Sequence, residues 1–366
     1  MRSRQLGSIV LGIVVFAGGL SAQRPTADPR ALIEAGASAL AEQRFGDALE
    51  AFTSASKLLP RDGSVSLAAG VAAFRLGRNA DAEEWFQRAL KLNPNLSDAG
   101  VWLAELQYRQ GRLKEAIDTL EDVLKRSPSA EGARERLREW RKEGQLQDRF
   151  YESRGAHFTV LFEGPADEMI ARRIVEHLEA AYWRIGSALT AYPPNAVNVV
   201  LYTSEQFQDI TRVPSWAGAA YDGRIRVPIR GALDQSDRLD RVLAHEYVHA
   251  VVAMLGGRNV PTWINEGLAV VFENGGIEDA DKVLARTTTR PPLRALEHSF
   301  EGLSEAQVRL AYAFSARAVR RMLDLRGAPA VVTLLQDLGR GAEFSSAFQQ
   351  RIFMRYEDFE TLVARQ

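Results

Sequence analysis

The sequence has no cysteine among its 366 residues. Disulfide bonds, thiol catalysis and thiolate metal ligands are therefore excluded, and any metal must be held by nitrogen and oxygen atoms. An excess of charge of either sign is also missing, since the formal net charge is −1. A chain this close to neutral gives no support to nucleic acid or to an acidic membrane surface as a partner.

Long apolar runs are missing too, with one short exception at the N-terminus. Two arginines within the first four residues precede an uncharged, mostly apolar run over residues 6–20, which is followed by the small residues Ser21 and Ala22. This pattern predicts a secretory signal peptide over residues 1–22, because the run is shorter than the about 20 apolar residues that a membrane-spanning helix needs. An uncleaved N-terminal membrane anchor is the alternative. Either way, the rest of the chain is expected to be exported, either periplasmic or extracellular.

A repeat with a period of 34 residues begins at residue 29 and continues to about residue 140. Five columns recur with this step: Ala48, Ala82 and Ala116; Pro60, Pro94 and Pro128; Gly36, Gly70 and Ala104; Phe52, Phe86 and Leu120; and Ala55, Ala89 and Val123. Small residues let two helices approach closely, and a proline ends the second helix of each pair. Gly77 and Gly111 mark the turn between the two helices of a pair.

This unit resembles the tetratricopeptide repeat (TPR). Three units can stack and share a core, and a polar capping helix over residues 134–147 would follow them. The sequence therefore predicts an α-helical TPR solenoid over residues 29–147. Two roles remain open for it, a concave surface that binds a protein or peptide partner and a spacer that positions the next domain.

The period is lost near residue 150, and a second domain is predicted over residues 150–366. Its predicted elements are a strand at His157–Phe162, a helix at Ala166–Leu189, a strand at Asn195–Tyr202, a short helix from Ser204 to Ile210, a strand within Gly218–Ile229 and helices after Gln235. Strands followed by helices indicate an α+β domain. Pro228 cannot donate to a sheet ladder, so the third strand is expected at an edge.

Residues 245–249 read His-Glu-Tyr-Val-His within the predicted helix. Residues four apart lie on the same helix face, so His245 and His249 can bind one ion while Glu246 reaches a water beside it, as in the HExxH motif. A zinc site also needs a third protein ligand. Glu266, in the stretch PTWINEGLA over residues 261–269, is the candidate, because the glycines and Pro261 before it let a second helix fold back.

HEYVHA followed by TWINEGLA resembles the gluzincin metallopeptidases, in particular the bacterial peptidase-MA-like domains, and is also similar to the WxNEGxA stretch of zinc aminopeptidases. The resemblance implies a zincin-like fold and one zinc ion held by His245, His249 and Glu266, with Glu246 as general base. In that chemistry zinc lowers the pKa of water to about 7, and Glu246 takes its proton and later returns it to the leaving amine. The competing interpretation is an amphipathic helix with two surface histidines.

Two further residues have open roles. Glu273, seven residues after Glu266, could hydrogen-bond a ligand imidazole or be a solvated charge at a helix end. Tyr312 lies in a Tyr-x-x-Ser stretch like that of peptidase-MA-like domains, and related enzymes use such a tyrosine to stabilise the oxyanion; a core tyrosine is the alternative. The other histidines, His157, His177 and His298, have no partner at ligand spacing and are interpreted as structural or surface residues.

The segment Gly218–Ile229 is the candidate edge for binding substrate backbone by strand addition. Zinc aminopeptidases carry Gly-x-Met-Glu-Asn there, whereas this chain has Gly-Ala-Ala-Tyr-Asp-Gly, in which Asp222 is a poor substitute for the glutamate. An endopeptidase is therefore favoured over an aminopeptidase. The alternative function is an extracytoplasmic TPR scaffold with a non-catalytic zinc domain, but Glu246 argues against it because a structural site needs no base.

Overall fold

The computed structural model describes residues 28–365, apart from 131, 165–166, 204, 208–219, 222, 229–235, 258, 288–289 and 301. The predicted signal peptide over residues 1–22, Ser204 and Asp222 lie outside these described residues. So does most of the predicted short helix that begins at Ser204, of which residues 205–207 are helical.

The first part of the chain, as the structure describes it, consists of three successive pairs of helices followed by a single helix. They are α1 (Pro29–Ala41), α2 (Phe45–Leu58), α3 (Gly63–Arg75), α4 (Asn79–Leu92), α5 (Ser97–Arg109), α6 (Leu113–Arg126) and α7 (Ala133–Gln147). Helices α2, α4 and α6 each end two residues before the repeating proline, which confirms the helix-ending role predicted for that column. Gly77 and Gly111 lie in the turns between paired helices at φ angles of 75° and 77°, which favour glycine.

The repeating small residues allow each first helix to pack onto the second helix of its own pair. A Cβ atom at Gly36 would lie 2.8 Å from the ring of Phe52, and one at Gly70 would lie 2.6 Å from the ring of Phe86. Each glycine thus faces the aromatic residue 16 positions later in the same unit. The predicted pairing of small and large columns is therefore a packing contact that the 34-residue period repeats.

The second part contains a sheet with strand order β1-β2-β3-β5-β4 among the described residues. The strands are β1 (Tyr151–Arg154), β2 (Phe158–Phe162), β3 (Val197–Tyr202), β4 (Ala220–Tyr221) and β5 (Ile225–Pro228). Strands β2, β3 and β5 are parallel, while β1 and β4 are antiparallel to their neighbours. Strand β1 is not predictable from the sequence, because its residues are largely exposed and carry no apolar pattern.

The prediction that the strand bearing Pro228 lies at an edge is wrong. Strand β5 lies between β3 and β4, and β4 is the outer strand of the sheet as described. Within the described residues, β4 pairs with Ile225 and Arg226, and Pro228 lies beyond these pairs, where a missing backbone donor is tolerated.

Helices cover one face of the sheet. They are α8 (Glu168–Leu189), α9 (Ser236–Gly256), α10 (Thr262–Phe272), α11 (Gly276–Leu284), α12 (Glu305–Gly339, bent at Gly327), α13 (Phe344–Ile352) and α14 (Tyr356–Ala364), with a 3-10 turn at Leu293–Leu296. Their apolar faces and the sheet form one large core, which confirms the predicted α+β arrangement. No helix within the described residues combines the length and apolar content needed to cross a bilayer.

Strand β3 is buried on both faces of the sheet. Val199 and Leu201 contribute to the large helical core, whereas Val200 and Tyr202 belong to a small cluster on the opposite face. This double burial explains why residues 199–202 of the strand form a continuous apolar run rather than an alternating pattern. The hydroxyl of Tyr202 donates to Glu143 of α7 at 3.2 Å, so the repeat domain covers part of this second face.

Candidate metal centre

Helix α9 carries His245, Glu246 and His249, and the ligand atoms of these three side chains converge on one point. The ligand atoms of His245, Glu246 and His249 all lie within 4.8 Å of one another, and the centroids of the two imidazole rings are 4.9 Å apart. The histidines lie one helical turn apart on the same face, as expected for residues at i and i+4.

Glu266 of α10 completes a three-ligand arrangement. Its Oε2 atom lies 3.5 Å from Nε2 of His245 and also 3.5 Å from Nε2 of His249. Ligands about 2.1 Å from a tetrahedral zinc ion are about 3.4 Å from each other. The two equal distances therefore match the edges of a zinc coordination tetrahedron.

The same Oε2 atom of Glu266 is buried and has no hydrogen-bond partner. A buried carboxylate oxygen without a partner is costly, and a cation between the three side chains would satisfy it. The position of Glu266 depends on the chain reversal after α9, where Gly257 has a φ angle of 61°. It also depends on Gly267, at which a Cβ atom would lie 2.5 Å from the carbonyl oxygen of Ser315 in α12.

The Nδ1 nitrogen of each imidazole, which faces away from the cluster, contacts a different side-chain oxygen. Nδ1 of His245 lies 2.9 Å from Oε2 of Glu273, and Nδ1 of His249 lies 3.0 Å from Oδ1 of Asn265. In the neutral form of each ring that binds a metal, a proton on Nδ1 leaves the lone pair of Nε2 directed to the cluster. Glu273 is itself fixed by Arg241 at 3.0 Å, so it is a paired residue at the C-cap of α10.

The contact of Asn265 with His249 was not predicted from the sequence. The only available signal was the place of Asn265 beside Glu266 in the TWINEGLA stretch. A contact from Asn265 to His249, 16 residues earlier, depends on how α10 folds back on α9. Arg241 was missed for the same reason, because its carboxylate partner lies 32 residues away.

The charges of the cluster favour a cation. Burial alone would lower the pKa of His245, but the carboxylates of Glu266 and Glu273 outweigh it and raise this pKa to about 10. Burial would raise the pKa of Glu266, yet His249 and His245 hold it below its ordinary value. The centre therefore attracts positive charge at the point where the three side chains converge.

Glu246 differs from the other carboxylates of the centre. Burial, the largest influence, raises the pKa of its carboxyl group above the ordinary value. Its Oε2 atom is buried without a hydrogen-bond partner. A carboxylate with a raised pKa and a free oxygen is suited to accept and return a proton.

Tyr312 of α12 lies beside the histidines. Its ring centroid is 6.2 Å from that of His245 and 5.7 Å from that of Phe300. Burial and the negative charges of Glu266 and Glu246 raise the pKa of its phenol, and a hydrogen bond to Glu266 adds to this. The hydroxyl is therefore a protonated donor at neutral pH.

The remaining histidines lie in other surroundings. His157 contacts Glu179 at 2.7 Å and stacks on Tyr182 at 3.7 Å between ring centroids. His177 lies 3.3 Å from Asp240, and His298 is exposed.

We expect Asn265→Ala to weaken metal binding at this centre by about 10–100-fold, the usual effect of removing a residue that orients a ligand imidazole. Competition with a chromophoric chelator measures the affinity. Asn95→Ala, at an exposed turn of the repeats, is the control and should bind like the wild type. An unchanged affinity for Asn265→Ala would show that His249 is oriented without it.

Comparison with known families agrees with both parts of the structure. Tetratricopeptide repeat models match residues 33–97 and 73–140, and a Peptidase MA superfamily model matches residues 180–361. No curated protein was found to match the chain.

Two solved structures are similar to the repeat part. The first TPR of Spaghetti (RPAP3), bound to the HSP90 peptide SRMEEVD, is 23% identical, with a TM-score of 0.31, and the match covers 32% of this chain and 95% of that one. The TPR domain of Arabidopsis OM64 is 20% identical, also with a TM-score of 0.31, and the match covers 31% of this chain and 95% of that one.

Proposed function

We propose that this chain, in which tetratricopeptide repeats are followed by a Peptidase MA superfamily domain, is a zinc-dependent peptidase. The family supports a metal-dependent peptidase. The observation that carries the proposal is the position of Glu266 Oε2, at 3.5 Å from Nε2 of both His245 and His249.

The donor atoms of the centre fit zinc in their number, their chemical type and their spacing. Two imidazole nitrogens and one carboxylate oxygen form the set of a catalytic gluzincin site, which keeps its fourth position open. A zinc ion held there supplies Lewis acidity, lowering the pKa of water and polarising a carbonyl group.

Glu246 is the proton carrier of the reaction. It removes a proton from the attacking water and gives it to the amine that leaves when the peptide bond breaks, so the carboxylate is regenerated after each cycle. Its raised pKa and its free Oε2 atom support both steps.

Tyr312 is proposed to donate a hydrogen bond to the oxyanion that forms from the scissile carbonyl. We expect Tyr312→Phe to lower kcat by about 10²–10³-fold, the usual cost of losing one oxyanion donor, while zinc content stays unchanged. Steady-state cleavage of a fluorogenic peptide measures this effect, and Tyr151→Phe on β1, where the side chain is 53% exposed, provides a tyrosine control. Unchanged turnover would make Tyr312 a core residue only.

The outer strand β4 is proposed to bind substrate backbone. It lies against α9, which carries the HExxH residues, and it is the edge of the sheet within the described residues. Added strands bind through main-chain hydrogen bonds, and such binding favours cleavage within an extended chain. The absence of a glutamate in the segment over residues 218–223 also favours an endopeptidase.

The decisive test combines zinc analysis with cleavage of an unfolded protein such as casein. One zinc ion per chain and cleavage abolished by a chelator are expected. Zinc bound without chelator-sensitive cleavage would instead favour the scaffold alternative.

We further propose an exported location, because of the signal-like residues 1–22. Tetratricopeptide repeats are modules for protein or peptide interaction, and we propose that a protein partner binds their groove.

A further inference from the structure

The turns that follow α3 and α5 of the repeat domain pack directly against the elements that shape the metal centre. A Cβ atom at Gly257, just beyond α9, would lie 2.5 Å from the carbonyl oxygen of Leu76 in the second repeat. A Cβ atom at Gly223, in the turn between β4 and β5, would lie 1.9 Å from the carbonyl oxygen of Arg109 at the end of α5. The backbones are therefore in contact at both places, with no room for a side chain between them.

A buried ionic cluster lies beside the second of these contacts. Glu143 of α7 is 2% exposed, and Arg224 and Arg226 of the hairpin are 2% and 1% exposed. Oε1 of Glu143 accepts from Nη1 of Arg226 at 2.9 Å and lies 3.0 Å from Nη2 of Arg224. Its Oε2 accepts from the hydroxyl of Tyr108 in α5 at 2.7 Å.

Both buried guanidinium groups contact the carboxylate of Glu143. Tyr108 adds its ring face, 4.8 Å from Arg224 and 5.8 Å from Arg226, and its hydroxyl accepts from Nη2 of Arg226 at 2.9 Å. Ring faces attract a cation only weakly compared with a carboxylate. Loss of the Glu143 charge would therefore remove the carboxylate that both buried guanidinium groups contact, which is destabilising.

The ionic cluster holds β5 in place and, because β4 pairs with β5, it also positions β4. Side chains alternate along a strand, so Ile225 and Val227 point into the helical core while Arg226 points to the repeat domain. In the part of the chain that the structure describes, β4 consists of two residues, which pair with Ile225 and Arg226. The position of β4 against α9 therefore depends on how firmly Arg226 is held.

We propose that Glu143 of the repeat domain is a positioning residue of the peptidase, which holds the β4–β5 hairpin through Arg224 and Arg226 so that β4 lies in register with the metal centre. This role rests on the peptidase function proposed above. The repeat domain is then a structural part of the substrate-binding edge as well as a surface for partners.

The test compares wild type, Glu143→Gln and the control Glu135→Gln, an exposed glutamate of the same helix, all as full-length chains. We expect Glu143→Gln to lower kcat/KM for an extended peptide by roughly 10–100-fold, the scale of an ångström-sized misplacement. The loss should appear mainly in KM, because β4 holds substrate backbone and not the reacting atoms. Zinc content should remain that of the wild type and of Glu135→Gln. A wild-type KM for a folded Glu143→Gln would overturn the proposal.

A double variant separates positioning from general stability. Adding Arg224→Met to Glu143→Gln removes one uncompensated buried cation and should raise the thermal midpoint towards that of the wild type. The proposal expects KM to stay high in the double variant. Recovery of KM together with the midpoint would overturn the proposal, because stability alone would then explain the defect.

Hydrogen–deuterium exchange gives a readout that does not need activity. Exchange of amides over residues 220–228 should become faster in Glu143→Gln and not in Glu135→Gln, and equal exchange would overturn the proposal. Wild-type protein without zinc or cleavage would count against the proposed function, whereas the exchange result would still decide whether Glu143 holds the hairpin.

The pH dependence of stability tests the same cluster. Burial would raise the pKa of Glu143, but Arg224, Arg226 and the Tyr108 hydroxyl outweigh it and hold this pKa below the ordinary 4.5; Tyr202 and Gln147 also contact the carboxylate. A depressed pKa stabilises the fold above 4.5, and the contribution is lost as pH falls through the lowered value. The difference in thermal midpoint between wild type and Glu143→Gln should therefore be full at neutral pH and shrink in acid, and a constant difference would argue against an ionised Glu143.

Discussion

Glu246→Gln is expected to bind one zinc ion as the wild type does and to lose peptide cleavage by about 10²–10⁴-fold, the contribution of a positioned general base. Glutamine has nearly the same shape as glutamate, so the packing of this 6% exposed side chain should survive. It cannot take a proton from water, however, and it cannot return one to the leaving amine. Zinc analysis and cleavage of a fluorogenic peptide measure the two properties separately.

The matched control for this prediction is Glu278→Gln on α11, which makes the same chemical change at an exposed position. It should keep both zinc and cleavage. Full activity of Glu246→Gln would remove Glu246 from the mechanism. Loss of zinc together with activity would instead make Glu246 a ligand, an outcome that its closeness to the histidines makes worth testing.

Glu266→Gln is expected to show the opposite pattern, with zinc lost first and activity lost as a consequence. Its Oε2 atom is the only carboxylate oxygen described at 3.5 Å from both Nε2 atoms. A neutral amide is a poor ligand for zinc, so affinity should fall by more than the about 10–100-fold expected when an orienting residue is lost. Competition with a chelator gives the affinity directly.

Thermal unfolding provides a second measurement for Glu266→Gln. A ligand that binds only the folded state stabilises it by about 2.7 kcal/mol at 100 times its Kd, so zinc should raise the midpoint of the wild type. The same zinc concentration should leave the midpoint of Glu266→Gln nearly unchanged. Glu273→Gln should lie between the two, because Glu273 contacts His245 and not the point where the ligands converge. A wild-type zinc response in Glu266→Gln would rule Glu266 out as a ligand.

Glu246→Gln and Glu266→Gln make the same change of carboxylate to amide at two positions of one centre. Their expected results differ because the two carboxylates face different partners. Glu266 contacts both imidazoles, whereas Oε2 of Glu246 has no hydrogen-bond partner and is free to meet water.

Local pattern was sufficient to predict much of this molecule. The 34-residue period placed the paired helices because each unit repeats the same small-to-large packing contact, as Gly70 and Phe86 show. The i, i+4 spacing of His245 and His249 placed two imidazoles on one face because a helix makes a turn every 3.6 residues. Strand β1 and the central place of β5 were not predictable in this way, since neither carries a local signal that distinguishes an edge from an interior strand.

By itself, the sequence determined the chemistry that is available: no thiol, two helical histidines with a carboxylate between them, and a second acidic stretch that can fold back on them. The tertiary structure decided which oxygen meets which nitrogen, and it alone placed Asn265, Arg241 and Glu143. Those contacts join residues 16 to 83 positions apart. Periodicity reports the face of a single helix or strand, whereas such contacts depend on how separate elements pack, and that is determined by the whole core.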